Sequence, residues 1–141
     1  MRQWVALILL FSSLPSWAEM KQFGNYQVHY SVFTTDFLLP DVAAAYNITR
    51  AADRAMINIS VRQSQRDHYT VAVKGRVVGT ISDLVHRKPL EFREIVEQDA
   101  LYYIADFEFI NEETLYFDID VTPADESAVL SVEFQQKLYV D

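Results

Sequence analysis

The sequence predicts an all-β protein: an immunoglobulin-like sandwich of two antiparallel sheets with one short helix, the alternative being an up-and-down β-barrel. Three observations predict it. Short runs of alternating apolar and polar residues recur along most of the chain. Polar, Gly-containing or Pro-containing turns separate those runs at the spacing of a sandwich. One stretch, Thr34–Asp53, lacks the alternation and has the signals of a short helix. The buried tryptophan and disulfide of antibody domains are missing. The chain has no cysteine, and both tryptophans, Trp4 and Trp17, fall in the N-terminal segment.

That segment, residues 1–18, reads MRQWVALILLFSSLPSWA. Arg2 forms a positive n-region, and Trp4 to Leu14 an apolar core too short to span a bilayer as a helix. Ser16-Trp17-Ala18 sets a small residue at both positions read by signal peptidase. The pattern predicts a secretory signal peptide cleaved after Ala18, leaving Glu19–Asp141 as a single β-sandwich domain. No later stretch is apolar enough for a membrane anchor, and without cysteine there is no site for lipoprotein acylation. The periplasm of a Gram-negative bacterium is the expected location. The net charge of −8 argues against nucleic acid and anionic membrane surfaces as partners.

The first expected strand is Gln22–Phe33, with Tyr26, Val28, Tyr30 and Val32 on one face. In Thr34–Asp53, Pro40-Asp41 suits a helical first turn, Val42–Tyr46 continues it, and Asn47 stops it in the left-handed conformation. This helix is expected to plug one end of the sandwich, over Phe37, Leu38 and Leu39. Ala55–Val61 follows with Ile57, Ile59 and Val61 inward. Tyr69–Val78 is next, with Tyr69, Val71, Val73 and Val77 on one face and a bulge or bend at Gly75 and Gly79. Thr80–Arg87 has the character of a short edge strand.

Pro89–Val121, PLEFREIVEQDALYYIADFEFINEETLYFDIDV, is the centre of the core. Leu90 and Phe92 point in. So do Leu101, Tyr103, Ala105, Phe107 and Phe109, and then Leu115, Phe117, Ile119 and Val121. Glu94 breaks the pattern, which predicts a bulge or an edge. Read as two hairpins, Gln98-Asp99 sets Phe92 opposite Ala105, and Asn111–Glu113 sets Phe107 opposite Phe117. The last strand, Ala128–Val140, carries Leu130, Val132, Phe134, Leu138 and Val140 inward, with Gln136 the exception.

Those registers line up Glu91, Asp106 and Asp118 in one acidic row, with Glu108 and Asp120 beside it. Like charges placed opposite one another cost up to about 1 kcal/mol a pair. The row has three readings: a Ca²⁺ site, a docking face for a basic partner, or a solvated surface offset by Arg93 and Lys137. Flat strands splay carboxylates apart, which disfavours calcium. Tyr102 and Tyr116 face outward on strands read as neighbours, with Ile104 between them. They form a candidate interface patch unless a segment such as Phe37–Tyr46 covers them.

No motif for a nucleophile, phosphate loop or cofactor is present, and His29, His68 and His86 are too dispersed for a local metal motif. No catalytic, cofactor or metal residue is assigned. The expected function is a non-enzymatic protein-interaction module that binds another envelope protein through a strand edge or the Tyr102/Tyr116 face. The alternative is a small-ligand or metal-ion binder, and an enzyme ranks last.

Three stretches carry a family likeness: FGNYQVHYSVFTTDFLLPDVAAAYNITRAADRAMINISV, the Pro89–Val121 segment, and LSVEFQQKLYV. Together they resemble the exported bacterial proteins grouped as domain of unknown function 4426. Where that family often has Gly after the short helix, this chain has Asn47, which meets the same backbone need. The resemblance implies a secreted or periplasmic protein of a gammaproteobacterium, and no activity, cofactor or site residue.

Overall fold

The computed structural model describes residues 18–140; the expected signal peptide, apart from Ala18, lies outside them. Its strands are β1 (Ala18–Phe23), β2 (Tyr26–Thr34), β3 (Arg54–Ser64), β4 (Thr70–Ala72), β5 (Gly75–Ser82), β6 (Arg87–Leu90), β7 (Arg93–Glu97), β8 (Ala100–Glu108), β9 (Glu113–Pro123) and β10 (Leu130–Leu138). Helix α1 (Pro40–Ala45) follows a 3-10 turn at Thr35–Phe37. One sheet runs β1-β2-β3-β8-β7, with β4 also on β3, and the other runs β10-β9-β5-β6. Every pairing is antiparallel. Two open sheets face each other, so the sandwich stands and the barrel alternative does not.

The alternation places the core as expected. Leu101, Tyr103, Ala105, Phe107 and Phe109 are buried, as are Leu115, Phe117, Ile119 and Val121 from the facing sheet. Phe107 and Phe117 meet with ring centroids 5.7 Å apart. Phe117 stacks on Phe134 at 4.7 Å, and Phe134 meets Tyr30 at 4.5 Å. This aromatic chain joins β8 and β2 of one sheet to β9 and β10 of the other. Gln136, the polar exception on β10, donates across the layers to the Val32 carbonyl at 3.2 Å.

Strand pairing departs from expectation at four places. β8 and β9 are not a hairpin but lie in opposite sheets, so Phe107 and Phe117 face each other through the core rather than along a ladder. The connection is held on both sides: Phe109 N donates to Asp53 O at 3.0 Å and Glu112 N to Leu138 O at 2.8 Å. The β7–β8 hairpin keeps the expected register, Glu97 opposite Ala100, but ends at Arg93 opposite Ile104. Leu90 belongs to β6 and pairs with Gly79 in the other sheet. The strand expected over Gln22–Phe33 is two strands joined at Gly24-Asn25, where Gly24 takes φ +61°. The strand expected over Tyr69–Val78 is likewise two, β4 and β5, split between the sheets at Val73-Lys74. Tyr69 and Val71 are therefore exposed rather than inward. Gly79 lies inside β5 because a Cβ there would sit 2.5 Å from Ile119 Cδ1 and 2.8 Å from Asp118 O.

The helix forms where expected, with Pro40 in its first turn and Asn47 at φ +56°. It does not plug an end. The Thr35–Asp53 strap lies on the outer face of the β1-β2-β3-β8-β7 sheet, where Leu38, Ala43 and Ile48 pack on Phe33, Met56 and Ile104. Leu38 is buried beneath it, while Phe37 and Leu39 are exposed. Thr35 and Arg50 stitch the strap to itself: Thr35 Oγ1 accepts from Ala51 N at 2.9 Å, and Arg50 Nε donates to Leu38 O at 2.7 Å.

Candidate interaction site

The acidic row depends on β8 and β9 being neighbours, and they are not. Its members separate into two places. Glu91 and Asp106 line a cleft of about 560 Å³ where the two sheets part between β6 and β8. Asp118 and Asp120 lie on the outer face of the other sheet, opposite Glu133 and Ser131 of β10.

Asp106 is neutralised within its own sheet. Arg54, on the adjacent β3, sets Nη2 2.7 Å from Asp106 Oδ2 and Nη1 3.2 Å from Glu108 Oε1. Arg93 sets Nη2 3.6 Å from Asp106 Oδ1 and donates through Nη1 to the Tyr46 carbonyl at 2.8 Å. The cluster thus ties the end of α1 to β7 and β8. Arg54 Nε and Arg93 Nη2 are buried without a hydrogen-bond partner. Glu94, the inward acid that broke the alternation, sits on the edge strand β7. It accepts from the Tyr103 hydroxyl at 3.0 Å and lies 3.6 Å from Lys74. Burial raises the Tyr103 pKa, and the same hydroxyl accepts from Gly75 N at 3.0 Å.

The tyrosine pair separates as the acids do. Tyr102 packs at the margin of the strap beside Ile104, and burial raises its pKa. Ile104 is fully covered by the strap. Tyr116 lies in the other sheet, on its outer face, opposite Gln135. Half of the expected patch is therefore covered and half is open.

The open half belongs to one continuous surface. No helix packs on the outer face of the β10-β9-β5-β6 sheet among the described residues. Thr80, Arg87, Tyr116, Asp118, Glu133 and Gln135 line a shallow hollow of about 400 Å³ there. Asp118 stands directly opposite Glu133. The Ser131 hydroxyl donates to Asp120 at 2.8 Å.

This face ends at β10, a nine-residue edge strand paired without interruption to β9. Carbonyl direction alternates along a strand. The Leu138 carbonyl accepts from Glu112 N, and Val140 N donates to Asn111 Oδ1, both on the β9 side. The Ser131 carbonyl points the other way and takes the Lys21 ammonium at 3.3 Å. The backbone groups of Ser131, Glu133, Gln135 and Lys137 therefore face out from the sheet, and all four side chains are exposed. The sequence reading named Lys137 only as an offsetting charge and passed over Ser131, Glu133 and Gln135. Their signal was there: Glu133 and Lys137 fall on the outward parity of a regular strand, one residue pair either side of Gln135.

The histidines stay apart. His29 Nε2 meets Gln27 Oε1 at 2.9 Å, His68 sits in a turn at φ +67°, and His86 Nδ1 is 3.5 Å from Asp83 Oδ2. Among the described residues no group of three or more His, Cys, Asp or Glu is placed to hold a metal ion. No helix among them is long and apolar enough to cross a membrane.

Fold and surface define a small all-β sandwich with one sheet capped by a helical strap and the other open along its face and edge. The chain belongs to the family described as Domain of unknown function (DUF4426), whose model matches residues 20–141. It is similar to the crystal structure of a DUF4426 family protein from Pseudomonas aeruginosa PAO1, with 31% identity and a TM-score of 0.77 over 89% of this chain and 98% of that one. FetP of uropathogenic Escherichia coli strain F11, recombinantly expressed in the periplasm of E. coli, shares 9% identity at a TM-score of 0.58 over 87% of this chain and 94% of its own. A copper-bound FetP variant gives the same identity and TM-score over 88% and 91%. At 9% identity the likeness to FetP is one of fold alone. No curated protein matches the chain.

Proposed function

We propose that the chain is an exported periplasmic protein-interaction module, non-enzymatic, that binds another protein chain by strand addition along β10. The observation that carries this is the nine-residue, uninterrupted β10 edge, whose outward backbone groups sit beside an uncovered sheet face. Such an edge offers main-chain hydrogen bonds for affinity, and alternate side chains for specificity. Tyr116 and Asp118, one strand in, would flank an added segment. Export is supported by the pattern of residues 1–18 and by the family resemblance.

A photoreactive amino acid at position 135 of the exported protein tests the reading, with position 96, on the β7 edge of the other sheet, as control. A discrete protein adduct at 135 and not at 96 is expected. No adduct at 135, or the same adducts at both, overturns it.

A second reading rests on the interlayer cleft. The Arg54 and Arg93 guanidiniums line that cleft beside Lys88, and the donor capacity that Asp106 and Glu108 leave unused suits a small carboxylate or other anion there. Thermal shift against a panel of small carboxylates checks this, with loss of any response in Arg93→Gln expected. The copper named for the FetP variant is not carried over, because no matching ligand cluster stands among the described residues.

A further inference from the structure

Resting on the edge reading above, we infer that the partner strand is β10 of a second copy, in one particular antiparallel register. The outward-facing residues of β10 are Ser131, Glu133, Gln135 and Lys137. Residues that face the same edge form the hydrogen-bonded pairs of an antiparallel ladder. A two-fold axis at Gln135 pairs Gln135 with itself, Glu133 with Lys137 of the second copy, and Lys137 with its Glu133. Both opposite-charge pairs form at once, as a two-fold operator requires.

Other registers lose this match. An axis at Glu133 or at Lys137 sets like charges face to face. An axis at Phe134 sets Glu133 opposite Gln135 and Lys137 opposite Ser131, leaving both charges without a counter-charge. A slip of one residue turns every side chain to the wrong face. The strand is thus self-complementary in one register only.

A second observation points the same way. Glu133 stands directly opposite Asp118 within the chain, a like-charge cross-strand pair. None of Asp118, Glu133 and Lys137 takes part in an ion pair among the described residues. In the proposed register the second copy's Lys137 arrives beside Glu133, one strand from Asp118, and supplies the missing counter-charge. Within its own chain Lys137 lies over the Tyr139 ring, 5.7 Å from its centroid, and is free to reorient at the surface.

The other edges are poorer templates. β6 has four residues and includes Pro89, which has no N–H to donate. β7 has five. β1 has six, and its Lys21 reaches the β10 edge at Ser131. Pairing at Glu133, Gln135 and Lys137 leaves that contact in place. The product is an eight-stranded continuous sheet made of two four-stranded halves.

Sedimentation velocity on the protein expressed from its complete sequence, in the processed form the host yields, tests the register by charge reversal. The native protein is expected to dimerise, more weakly as salt rises. Each of E133K and K137E turns both attractive pairs repulsive and is expected to weaken the dimer at least about tenfold. The double variant E133K/K137E restores the pairing with charges exchanged and is expected to recover native association. Gln135→Pro removes one outward N–H without touching the β9 ladder and is expected to abolish the dimer. Circular dichroism confirms that each variant folds. A native protein monomeric at every concentration overturns self-pairing, as does a dimer indifferent to the single reversals or not rescued by the double one. The position-135 cross-link separates the two levels. A monomer whose position 135 captures a different envelope protein overturns the second-copy partner and keeps the edge reading. A monomer whose position 135 captures nothing overturns both.

Discussion

Replacing Asp106 with Ala asks whether this acid is part of the fold or part of a docking surface. Its carboxylate is about one-quarter exposed and lies 2.7 Å from Arg54 Nη2 and 3.6 Å from Arg93 Nη2. A hydrogen bond to a charged group contributes about 1.5–3 kcal/mol. Partial exposure on all three side chains screens the pair toward the lower end, about 1.5 kcal/mol. Removal also leaves the Arg54 and Arg93 guanidiniums without the carboxylate they share, which adds to the loss. For a domain of this length about 1 kcal/mol corresponds to ~4 °C, so the melting temperature should fall by about 6 °C. Arg54→Ala and the double variant complete the cycle, with a coupling of about 1–2 kcal/mol expected by urea unfolding. A coupling below about 0.3 kcal/mol would mean that Asp106 is a solvated acid, and the assignment of this cluster as the tie between strap and sheet would fail.

Three further outcomes follow from burial or exposure. Phe117 is buried between Phe107 and Phe134, so Phe117→Ala should lower the urea midpoint by the equivalent of about 3–5 kcal/mol at unchanged slope. Phe37→Ala, at an exposed position of the strap, should change it by less than about 0.5 kcal/mol. Glu97, at the end of β7, is buried with neither carboxylate oxygen hydrogen-bonded, and burial raises its pKa. An acid whose folded pKa is raised loses its proton later in the folded state than in the unfolded one. Stability therefore falls as pH climbs from the ordinary carboxylate range through the folded pKa, and stays reduced above it. Glu97→Gln removes that loss. Thermal melts should show the variant more stable than the native protein at neutral pH, with the gap closing under acid conditions; a constant gap across pH would refute the assignment.

What the sequence made legible was local. Period-2 alternation depends only on neighbouring residues, so the inward faces of β3, β8 and β9 could be read residue by residue. The Gln98-Asp99 turn gave the β7–β8 register because a tight connection leaves no choice of partner. The Asn111–Glu113 connection did leave a choice. A hairpin and an arch between facing sheets both keep the apolar faces on the core, and Phe107 meets Phe117 either way. The deciding contacts, from Asp53 and Leu138, come from remote parts of the chain. The acidic row was inferred through that one choice and dissolved with it. Gly24-Asn25 was a turn signal in plain view, overlooked because it falls only two residues inside the stretch read as one strand from Gln22. Glu94 and Gln136 looked like errors of pattern; Glu94 is exposed at the sheet edge and Gln136 is half-buried, and each has a partner from outside its own strand.

The Glu133–Asp118 pair shows why local and intermolecular choices should be separable by experiment. A like-charge pair set directly opposite on adjacent strands works against folding of the single chain, by up to about 1 kcal/mol. Neutralising it with Glu133→Gln should therefore raise the melting temperature measured under dilute, monomeric conditions. If Glu133 were only part of a solvated acidic surface, that gain would come without a loss elsewhere. If it faces Lys137 of a second copy, the same substitution should weaken association while it stabilises the fold. Opposite signs in the two measurements, taken on one variant, would mean that the residue suits the assembled sheet better than the isolated one. The same sign in both would place Glu133 among ordinary surface charges and remove the electrostatic ground for the Gln135-centred register.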